Sequence, residues 1–375
     1  MSRLLLLLFC MTALLANARQ RAVEVGVKIG VLPSGEFNAI TDVKGVKVGH
    51  FTLIQGDDVR TGVTSILPYD GNIFQSKVPA AIYLGNAFGK LAGYTQVKEL
   101  GNIETPILLT NTLAVADASK ALVRYTLALP GNENVRSVNP VVGETNDSYL
   151  NDIRSFPLQT DHFAAAINAA KSGEVEEGNV GAGTGTVCFG YKGGIGSSSR
   201  KLPESLGGYT VGVLVQTNFG GNLTIDGEAI DEMLEQYPYR KQILGSVDGS
   251  CMIVVATDAP LDARNLERLA KRALLGLGRT GGIASNGSGD YVIAFSTAEG
   301  LRVPYDPPTP VLQQNVLAND SMTPLFMGVI EATEEAIVNS LWAANTMTGY
   351  QNHTVEALPK DKVMDLLKKS GKIKK

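Results

Sequence analysis

Short apolar runs alternate along the chain with longer segments in which apolar residues recur every three or four positions. The short runs, such as Cys251–Ala256, are rich in β-branched residues, which is typical of buried strands. The longer pattern is clearest where apolar positions form one helical face: Leu266, Leu269, Ala270, Ala273, Leu274 and Leu277. We predict strands at Val27–Leu32, Ala80–Leu84, Thr210–Gln216, Met252–Ala256 and Tyr291–Phe295, and helices at Leu113–Leu127, His162–Lys171, Asp262–Leu275 and Pro324–Ala344.

These elements indicate one α+β domain in which helices cover sheets, because neither a repeat of fixed period nor a low-complexity linker divides the chain. The 375 residues are 44% hydrophobic and 19% charged, a composition able to bury a sizeable core. The net charge of −4 creates no strong field for nucleic acid. The basic tail at 368–375 is interpreted as a solvated terminus, so no nucleic-acid partner is expected.

The N-terminal residues have the layout of a secretory signal peptide. Arg3 precedes a mostly apolar stretch, Leu4–Ala16, and small residues surround a cleavage point after Ala18. The stretch is too short for a spanning helix, which needs about 20 residues. We therefore expect residues 1–18 to be removed and residues 19–375 to be exported to the periplasm or beyond, with no membrane segment elsewhere.

Several common kinds of site are poorly supported. Gly181–Thr186 is glycine-rich but lacks the Gly-Lys-Ser/Thr of a phosphate loop. Gly85–Lys90 does not match that motif either, because Leu91 stands where the motif has Ser or Thr. The histidines are isolated, no GxSxG sequence is present, and no His/Cys cluster has metal-ligand spacing. Cys188 and Cys251 lie in apolar stretches and are expected to be buried thiols. We expect neither a cofactor nor a metal.

Gly249 and Ser250 stand at the mouth of the apolar run at 251–256, where a turn is the ordinary explanation. The alternative is a chain break between them, which gives Ser250 a free α-amino group. Such an amine has a pKa near ~7.7–8.0 and acts as general base for the hydroxyl of the same residue in N-terminal serine and threonine enzymes. Gly249 suits a break because a residue without Cβ tolerates strain.

The predicted topology brings three more polar side chains to Ser250. The strand after Ser250 is followed by a helix and then by a second strand. Such a unit usually places its two strands parallel in one sheet, so that their N-terminal ends lie at the same edge of the sheet. Ser288 and Asp290 would then arrive roughly one or two strand spacings of ~4.8 Å away. If the strand at Thr210–Gln216 runs antiparallel, Asn218 reaches the same edge and can donate to an oxyanion. The alternatives are a strand-capping loop and an Asn-Phe-Gly-Gly turn.

Ordered blocks along the chain resemble one family, the self-cleaving aminopeptidases that include the L-aminopeptidase/D-esterase and the bacterial β-peptidyl aminopeptidases. The blocks are GVTSILP (62–68), PILLTNT (106–112), NPVVGETNDSYLNDI (139–153), GNVGAGTGTVCFGYKGGIGSSSR (178–200), VLVQTNFG (213–220), DGSCMIVVATDAPL (248–261) and GLGRTGGIASNGSGDYVIAFSTA (276–298). The resemblance covers nearly the whole chain after residue 18. It implies a four-layer α/β/β/α sandwich akin to the N-terminal-nucleophile hydrolases, with a different chain order.

The resemblance also implies catalytic roles. Ser250 matches the nucleophile, and the bond between Gly249 and Ser250 matches the self-cleavage site. Asn218 matches the oxyanion donor and Ser288 an auxiliary hydroxyl. Asp290 stands where the family's β-peptidases use glutamate, so this chain has a carboxylate with a shorter side chain at that position.

Two positions concern the substrate. Glu144 matches the carboxylate that holds the free amine of the substrate, whereas without the resemblance it would be interpreted as a solvated loop acid. Asn146 stands where the L-aminopeptidase/D-esterase has tyrosine, which favours the β-peptidase side of the family.

The resemblance implies an exported, self-processed serine aminopeptidase that acts through an acyl-enzyme on small peptides, amides or esters with a free N-terminus. Residues 19–249 and 250–375 would form two subunits, and several such pairs would associate into a homo-oligomer. One alternative is an acyltransferase of similar fold. Another is an uncleaved periplasmic binding protein whose glycine-rich loops hold a small ligand.

Overall fold

The computed structural model of the protein describes residues 21–237, 240 and 249–373. The signal peptide predicted at residues 1–18 lies outside them. None of the helices within these ranges is long and apolar enough to cross a membrane.

Strands dominate the first and middle parts of the described chain, and the longest helices follow Ser250. The strands are β1 (Lys47–Gln55), β2 (Val59–Leu67), β3 (Ser76–Ala87), β4 (Asn102–Ile103), β5 (Ile107–Asn111), β6 (Val141–Thr145), β7 (Val187–Cys188), β8 (Tyr191–Lys192), β9 (Ile195–Lys201), β10 (Thr210–Asn218), β11 (Thr224–Ile225), β12 (Glu228–Ala229), β13 (Ser250–Thr257), β14 (Gly289–Ser296), β15 (Val303–Pro304), β16 (Met347–Thr348) and β17 (Thr354–Val355). The helices are α1 (Tyr94–Leu100), α2 (Val115–Leu127), α3 (Thr160–Asn168), α4 (Ile230–Met233), α5 (Ala263–Arg279), α6 (Thr323–Trp342) and α7 (Lys360–Lys369).

Most predicted elements are present, and the exception is the strand at Val27–Leu32. That prediction is wrong, because these residues form an irregular segment. The backbone N–H groups of Val31 and Leu32 donate to the carboxylate of Glu331, each at 3.0 Å, instead of to a strand. The helix predicted at His162–Lys171 is α3, which begins and ends a few residues earlier.

Two sheets carry the architecture. The smaller has the order β1-β2-β5-β6, and the larger has the order β15-β3-β14-β13-β10-β9, with β4 also paired to β3. β13 and β14 are parallel, as the sequence predicts, and β10 is antiparallel to β13, the orientation that brings Asn218 to the same edge. The C-terminal end of β10 therefore meets the N-terminal ends of β13 and β14, and this meeting point is called the Ser250 edge below.

The two sheets pack face to face, and helices cover their outer faces. Leu109 and Val141 of the smaller sheet pack with Leu214, Val254 and Ile293 of the larger sheet in the core between them. Helices α5 and α6 cover the outer face of the larger sheet, while α2 and α3 cover that of the smaller. The result is the four-layer α/β/β/α sandwich that the resemblance implied.

β13 lies inside the larger sheet, and both of its faces are covered. Met252 and Val254 face the smaller sheet, whereas Ile253 and Val255 belong to the core under the helices. A strand buried on both faces has a continuous apolar sequence instead of an alternating one. This burial explains the apolar run, and it leaves Ser250 as the polar residue where the run reaches the edge.

Candidate active site

Three neighbouring strands bring the predicted catalytic side chains together. Asn218 lies opposite Ser250 in the β10–β13 pair, and Ser250 lies opposite Gly289 in the β13–β14 pair. Ser288 and Asp290 flank Gly289. All four polar residues are buried, with exposed fractions of 7% for Asn218, 5% for Ser250 and 1% for both Ser288 and Asp290. The structure thus gathers at one edge the residues that the topology argument placed there.

The geometry around Ser250 is that of an uncleaved chain, because Gly249 and Ser250 are consecutive residues of it. The Ser250 hydroxyl donates to the Gly249 carbonyl oxygen at 2.5 Å. The backbone N–H of Gly289 donates to the same carbonyl at 3.1 Å, and its nitrogen lies 3.4 Å from Ser250 Oγ. The hydroxyl therefore stands beside a carbonyl that a backbone N–H polarises.

The Asn218 side chain has a defined orientation. Its Oδ1 accepts a hydrogen bond from the backbone N–H of Val187 at 2.9 Å, so its Nδ2 points the other way. Within residues 21–237, 240 and 249–373, Nδ2 has no hydrogen-bond partner. A free amide donor beside Ser250 is what a developing oxyanion requires.

Ser288 and Asp290 form a hydrogen-bonded pair under the start of β13. The Ser288 hydroxyl donates to Asp290 Oδ1 at 2.9 Å. The other carboxylate oxygen, Oδ2, is buried and has no partner in the part of the chain that the structure describes. Burial raises the pKa of Asp290 to about 6, while the Ser288 hydrogen bond and the nearby backbone N–H of Cys251 act in the opposite direction. Asp290 thus keeps one acceptor available for a donor beside Ser250.

Glu144 lies on β6 in the smaller sheet and is 3% exposed. Its Oε1 accepts from the backbone N–H of Lys90 at 2.9 Å, and its Oε2 accepts a close hydrogen bond from the Thr112 hydroxyl. No cationic side chain among the described residues pairs with it. Buried carboxylates are normally paired with a positive charge. The surroundings of Glu144 therefore suit an external ammonium group.

The segment that follows β3 connects Glu144 with the Ser250 edge. The Phe88 backbone N–H donates to the Ser288 carbonyl at 3.3 Å, and a Cβ added to Gly289 would lie 2.8 Å from the Phe88 carbonyl oxygen. A Cβ added to Gly89 would lie 3.2 Å from Glu144 Oε1. The two glycines permit this close approach of backbone to backbone and to carboxylate. The carboxylate and the Ser250 edge thus border the same short segment.

Asn146 is placed differently from the other predicted residues. Its side chain is exposed, and its Oδ1 accepts from the backbone N–H of Ser148 at 3.0 Å, which closes a local turn. This bond does not involve Glu144 or Ser250. A role for Asn146 in substrate binding stays a prediction.

Several contributors to the site were not predicted. Thr112 holds Glu144, and the backbone N–H groups of Gly289, Lys90 and Val187 donate to the site. Backbone donors leave little trace in a sequence. The available signals were the blocks that contain Thr112, Val187 and Gly289.

The histidines are engaged elsewhere. His50 hydrogen-bonds to Thr64, His353 hydrogen-bonds to the Tyr149 carbonyl, and His162 stacks on a phenylalanine ring. Cys188 and Cys251 are buried free thiols, as predicted. Across residues 21–237, 240 and 249–373, no group of three or more His, Cys, Asp or Glu side chains is arranged to hold a metal.

Comparisons with known proteins place the chain in one family. The model of peptidase family S58 matches residues 38–355. The β-peptidyl aminopeptidase BapA of Sphingosinicella microcystinivorans is 40% identical over 93% of this chain and 92% of its own length.

Solved structures show the same fold. A β-aminopeptidase of Burkholderia sp. has a TM-score of 0.87 at 38% identity, covering 94% of this chain and 99% of its own. The L-aminopeptidase D-Ala-esterase/amidase of Ochrobactrum anthropi, described as a variant of the Ntn hydrolase fold, has a TM-score of 0.86 at 33% identity with the same coverage. The chain therefore belongs to peptidase family S58 and is an aminopeptidase with the N-terminal-nucleophile hydrolase fold.

Proposed function

We propose that the protein is an exported, self-cleaving aminopeptidase that uses Ser250 as its nucleophile. The observation that carries this proposal is the meeting of Ser250, Asn218, Ser288 and Asp290 at one sheet edge, next to a segment that also borders the buried Glu144. The signal-like residues 1–18 support export.

Self-cleavage would begin with attack of Ser250 Oγ on the carbonyl carbon of Gly249. The C–N bond breaks, an ester forms, and the nitrogen of Ser250 takes up the hydroxyl proton and becomes a free α-amine. The Gly289 N–H, which already donates to this carbonyl, stabilises the negative charge on its oxygen. Water then hydrolyses the ester and releases the Gly249 carboxylate. The products are subunits 19–249 and 250–375, and we propose that pairs of them associate into a homo-oligomer.

Substrate turnover would use the new amine as general base. The amine takes the proton of the Ser250 hydroxyl, and the oxygen attacks the carbonyl that follows the first residue of the substrate. Asn218 Nδ2 donates to the oxyanion, a contribution of about 3–4 kcal/mol in comparable sites. The resulting ammonium donates to Asp290 Oδ2, which Ser288 holds in place, and returns its proton to the leaving amine. Water then releases the acyl group.

Glu144 would select substrates that carry a free N-terminal ammonium, through a charge-assisted hydrogen bond. The substrates in this proposal are short peptides, amides or esters that begin with a β-amino or L-amino residue. The names of the Sphingosinicella and Burkholderia proteins support the β-amino class.

The test compares purified wild-type protein with Ser250→Ala on a denaturing gel. The wild type should show two fragments, one with the N-terminal sequence Ser-Cys-Met-Ile. The alanine variant should remain one chain and should lose peptidase activity by at least about 10³-fold, since removal of a catalytic serine costs this much or more. Ser205→Ala, on a short exposed 3-10 helix, serves as the matched control. The proposal is wrong if the Ser250 variant still splits at this bond in a protease-free preparation.

A further inference from the structure

Lys192 is a buried lysine near the Ser250 edge that the proposed chemistry does not use. Its residue is 0% exposed, and its Nζ donates to the carbonyl oxygens of Gly183, Thr186 and Gly193 at 3.0, 2.9 and 2.7 Å. An ammonium group has three N–H donors, so each one has a backbone acceptor. Burial lowers the pKa of Lys192 to about 7, because the ammonium group loses its hydration. An apolar residue would avoid that loss, which makes a purely space-filling role unsatisfactory.

These carbonyls belong to the glycine-rich segment 181–194, whose sequence superficially suggests a nucleotide loop. The Gly193 N–H donates to the Thr186 carbonyl at 3.1 Å, which closes the segment around the ammonium. A Cβ added to Gly183 would lie 2.4 Å from the Ile195 nitrogen, a distance that side chains do not tolerate. The glycines therefore allow the backbone to wrap around a lysine of the same segment.

The wrapped segment also holds the proposed oxyanion donor. Val187, the residue that donates its N–H to Asn218 Oδ1, is paired with Lys192 in the short β7–β8 hairpin. The Phe189 N–H donates to the Phe219 carbonyl at 2.7 Å, which fastens the hairpin to the residue after Asn218. One hairpin thus connects the Lys192 ammonium at its base to the amide of Asn218.

We propose that Lys192 is a positioning residue that fixes the orientation of Asn218 for acyl transfer. The inference rests on the proposed role of Asn218 as oxyanion donor. Without the ammonium, the carbonyls of Gly183, Thr186 and Gly193 lose their common donor, the hairpin relaxes, and Asn218 Nδ2 shifts from the oxyanion. A displacement of about 1 Å at a catalytic group lowers a rate by as much as ~10²-fold. Substrate binding through Glu144 does not pass through this hairpin and should change little.

The experiment is a double-mutant cycle with Lys192→Met, Asn218→Ala and the double variant, with rates normalised to the amount of cleaved protein. Lys192→Met should lower kcat by about 10- to 100-fold and change KM by less than about threefold. In the Asn218→Ala background the same substitution should lower kcat by less than about threefold, since the group that it positions is gone. Additive losses would show that Lys192 affects kcat by a route other than Asn218, and a lysine that only stabilised the fold would leave kcat unchanged.

Lys77→Met is the matched control, because Lys77 is also buried and donates to a backbone carbonyl, that of Phe74, at 3.0 Å. It lies at the end of β3 opposite to the Ser250 edge, so its loss should lower stability and leave kcat unchanged. Lys192→Gln is the second variant if Lys192→Met does not fold, since its amide still donates to the carbonyls. It should show a smaller loss of kcat with the same non-additivity.

The outcomes separate the two proposals. If Asn218→Ala alone leaves kcat unchanged, the proposed role of Asn218 is wrong and the inference fails with it. If Asn218→Ala lowers kcat while both Lys192 variants keep it within threefold of the wild type, only the inference about Lys192 is overturned. Additive losses in the cycle overturn it as well.

Discussion

Two buried carboxylates of this protein, Glu331 and Glu144, have opposite surroundings. Glu331 is 2% exposed, accepts from Arg200 Nε at 3.1 Å, and accepts two backbone N–H groups of the N-terminal segment. Glu144 is 3% exposed and accepts from the Lys90 N–H and the Thr112 hydroxyl. In the described part of the chain, no cationic side chain accompanies it.

The difference separates a carboxylate with a cationic partner in the fold from one for which we propose a role in substrate binding. A buried charge without a partner is costly, and proteins retain it mainly where something external completes it. The same is true around Ser250, where Asp290 Oδ2 and Asn218 Nδ2 have no partners among the described residues. Two groups with unused bonding capacity thus lie at the candidate active site, whereas Arg200 pairs with the carboxylates of Glu331 and Glu335 between α6 and β9.

The largest effect is expected where the satisfied pair is broken. Arg200→Met leaves Glu331 and Glu335, whose carboxylate lies 2.7 Å from Arg200 Nη2, buried without a cation. We expect the free energy of unfolding to fall by about 3–5 kcal/mol, measured by denaturant titration in the uncleaved Ser250→Ala background. The activity per folded molecule of the otherwise wild-type enzyme should not change. Lys201→Met, at the adjacent half-buried position, is the control, and a loss below about 1 kcal/mol for Arg200→Met would contradict the comparison.

The next effect is expected on activity. Glu144→Gln keeps the shape of the side chain and removes its charge, so kcat/KM should fall by about 100-fold, or ~2.7 kcal/mol, for substrates with a free N-terminus. Self-cleavage should persist, because Gly249 presents no free amine to be bound. Unlike Glu331→Gln, this substitution should not lower the stability of the uncleaved protein.

The measurement for Glu144 pairs a gel of self-cleavage with kinetics on free and N-acetylated versions of one substrate. The preference for the free version should largely disappear in Glu144→Gln. A variant that cleaves itself and retains near wild-type kcat/KM for the free substrate would show that Glu144 is only a structural acid.

The smallest effect is expected in the pH dependence of stability. In the uncleaved chain the pKa of Asp290 is about 6, above the ~3.9 of an unfolded chain, so the fold disfavours its charged form. The resulting loss of folding stability is absent below pH ~4, where Asp290 is protonated in both states. It grows between pH ~4 and ~6, because Asp290 ionises in the unfolded chain first, and it is complete above pH ~6. Relative to pH 3.5, Asp290→Asn should therefore raise the stability of uncleaved Ser250→Ala protein by ~2–3 kcal/mol at pH 7.

Denaturant titrations at pH 3.5, 5 and 7 test this expectation. The cleaved enzyme provides the contrast, because a Ser250 ammonium beside Asp290 favours the carboxylate and should reduce or remove the gain. The expectation is wrong if the difference in stability that Asp290→Asn causes in the uncleaved protein does not change with pH. Burial would then not disfavour the charged form of Asp290.

The strand pairing at the Ser250 edge could be predicted because a strand, a helix and a second strand in sequence have few ways to pack. The segment Val27–Leu32 could not, although its apolar residues suggest a strand. Its N–H groups bond to Glu331, about 300 residues later in the chain, and a Cβ on Gly30 would collide with that carboxylate at 2.2 Å. The local sequence contains no signal that a distant side chain accepts the hydrogen bonds that a neighbouring strand would otherwise accept.

Most side chains of the candidate site were predictable, with Thr112 as the exception, whereas its backbone donors were not. Ser250, Asn218 and Glu144 stand in recognisable blocks of sequence. The backbone N–H groups of Gly289 and Val187 cannot be recognised in the sequence, since every residue except proline carries one. Their partners become visible only when the fold fixes which carbonyl or amide lies opposite.

The order of strands in the larger sheet has a consequence for the proposed break at Gly249. Strands β3, β10 and β9 precede the break, whereas β13, β14 and β15 follow it, and β3 lies between β15 and β14. Two separate chains would thus be interleaved in one hydrogen-bonded sheet, and neither could leave without unfolding it. The precursor folds as a unimolecular process, but the mature protein could refold only by meeting its partner fragment, at a rate that depends on concentration. The lifetime of the folded mature protein would then be set by its rate of unfolding and not by an equilibrium between folded and unfolded states.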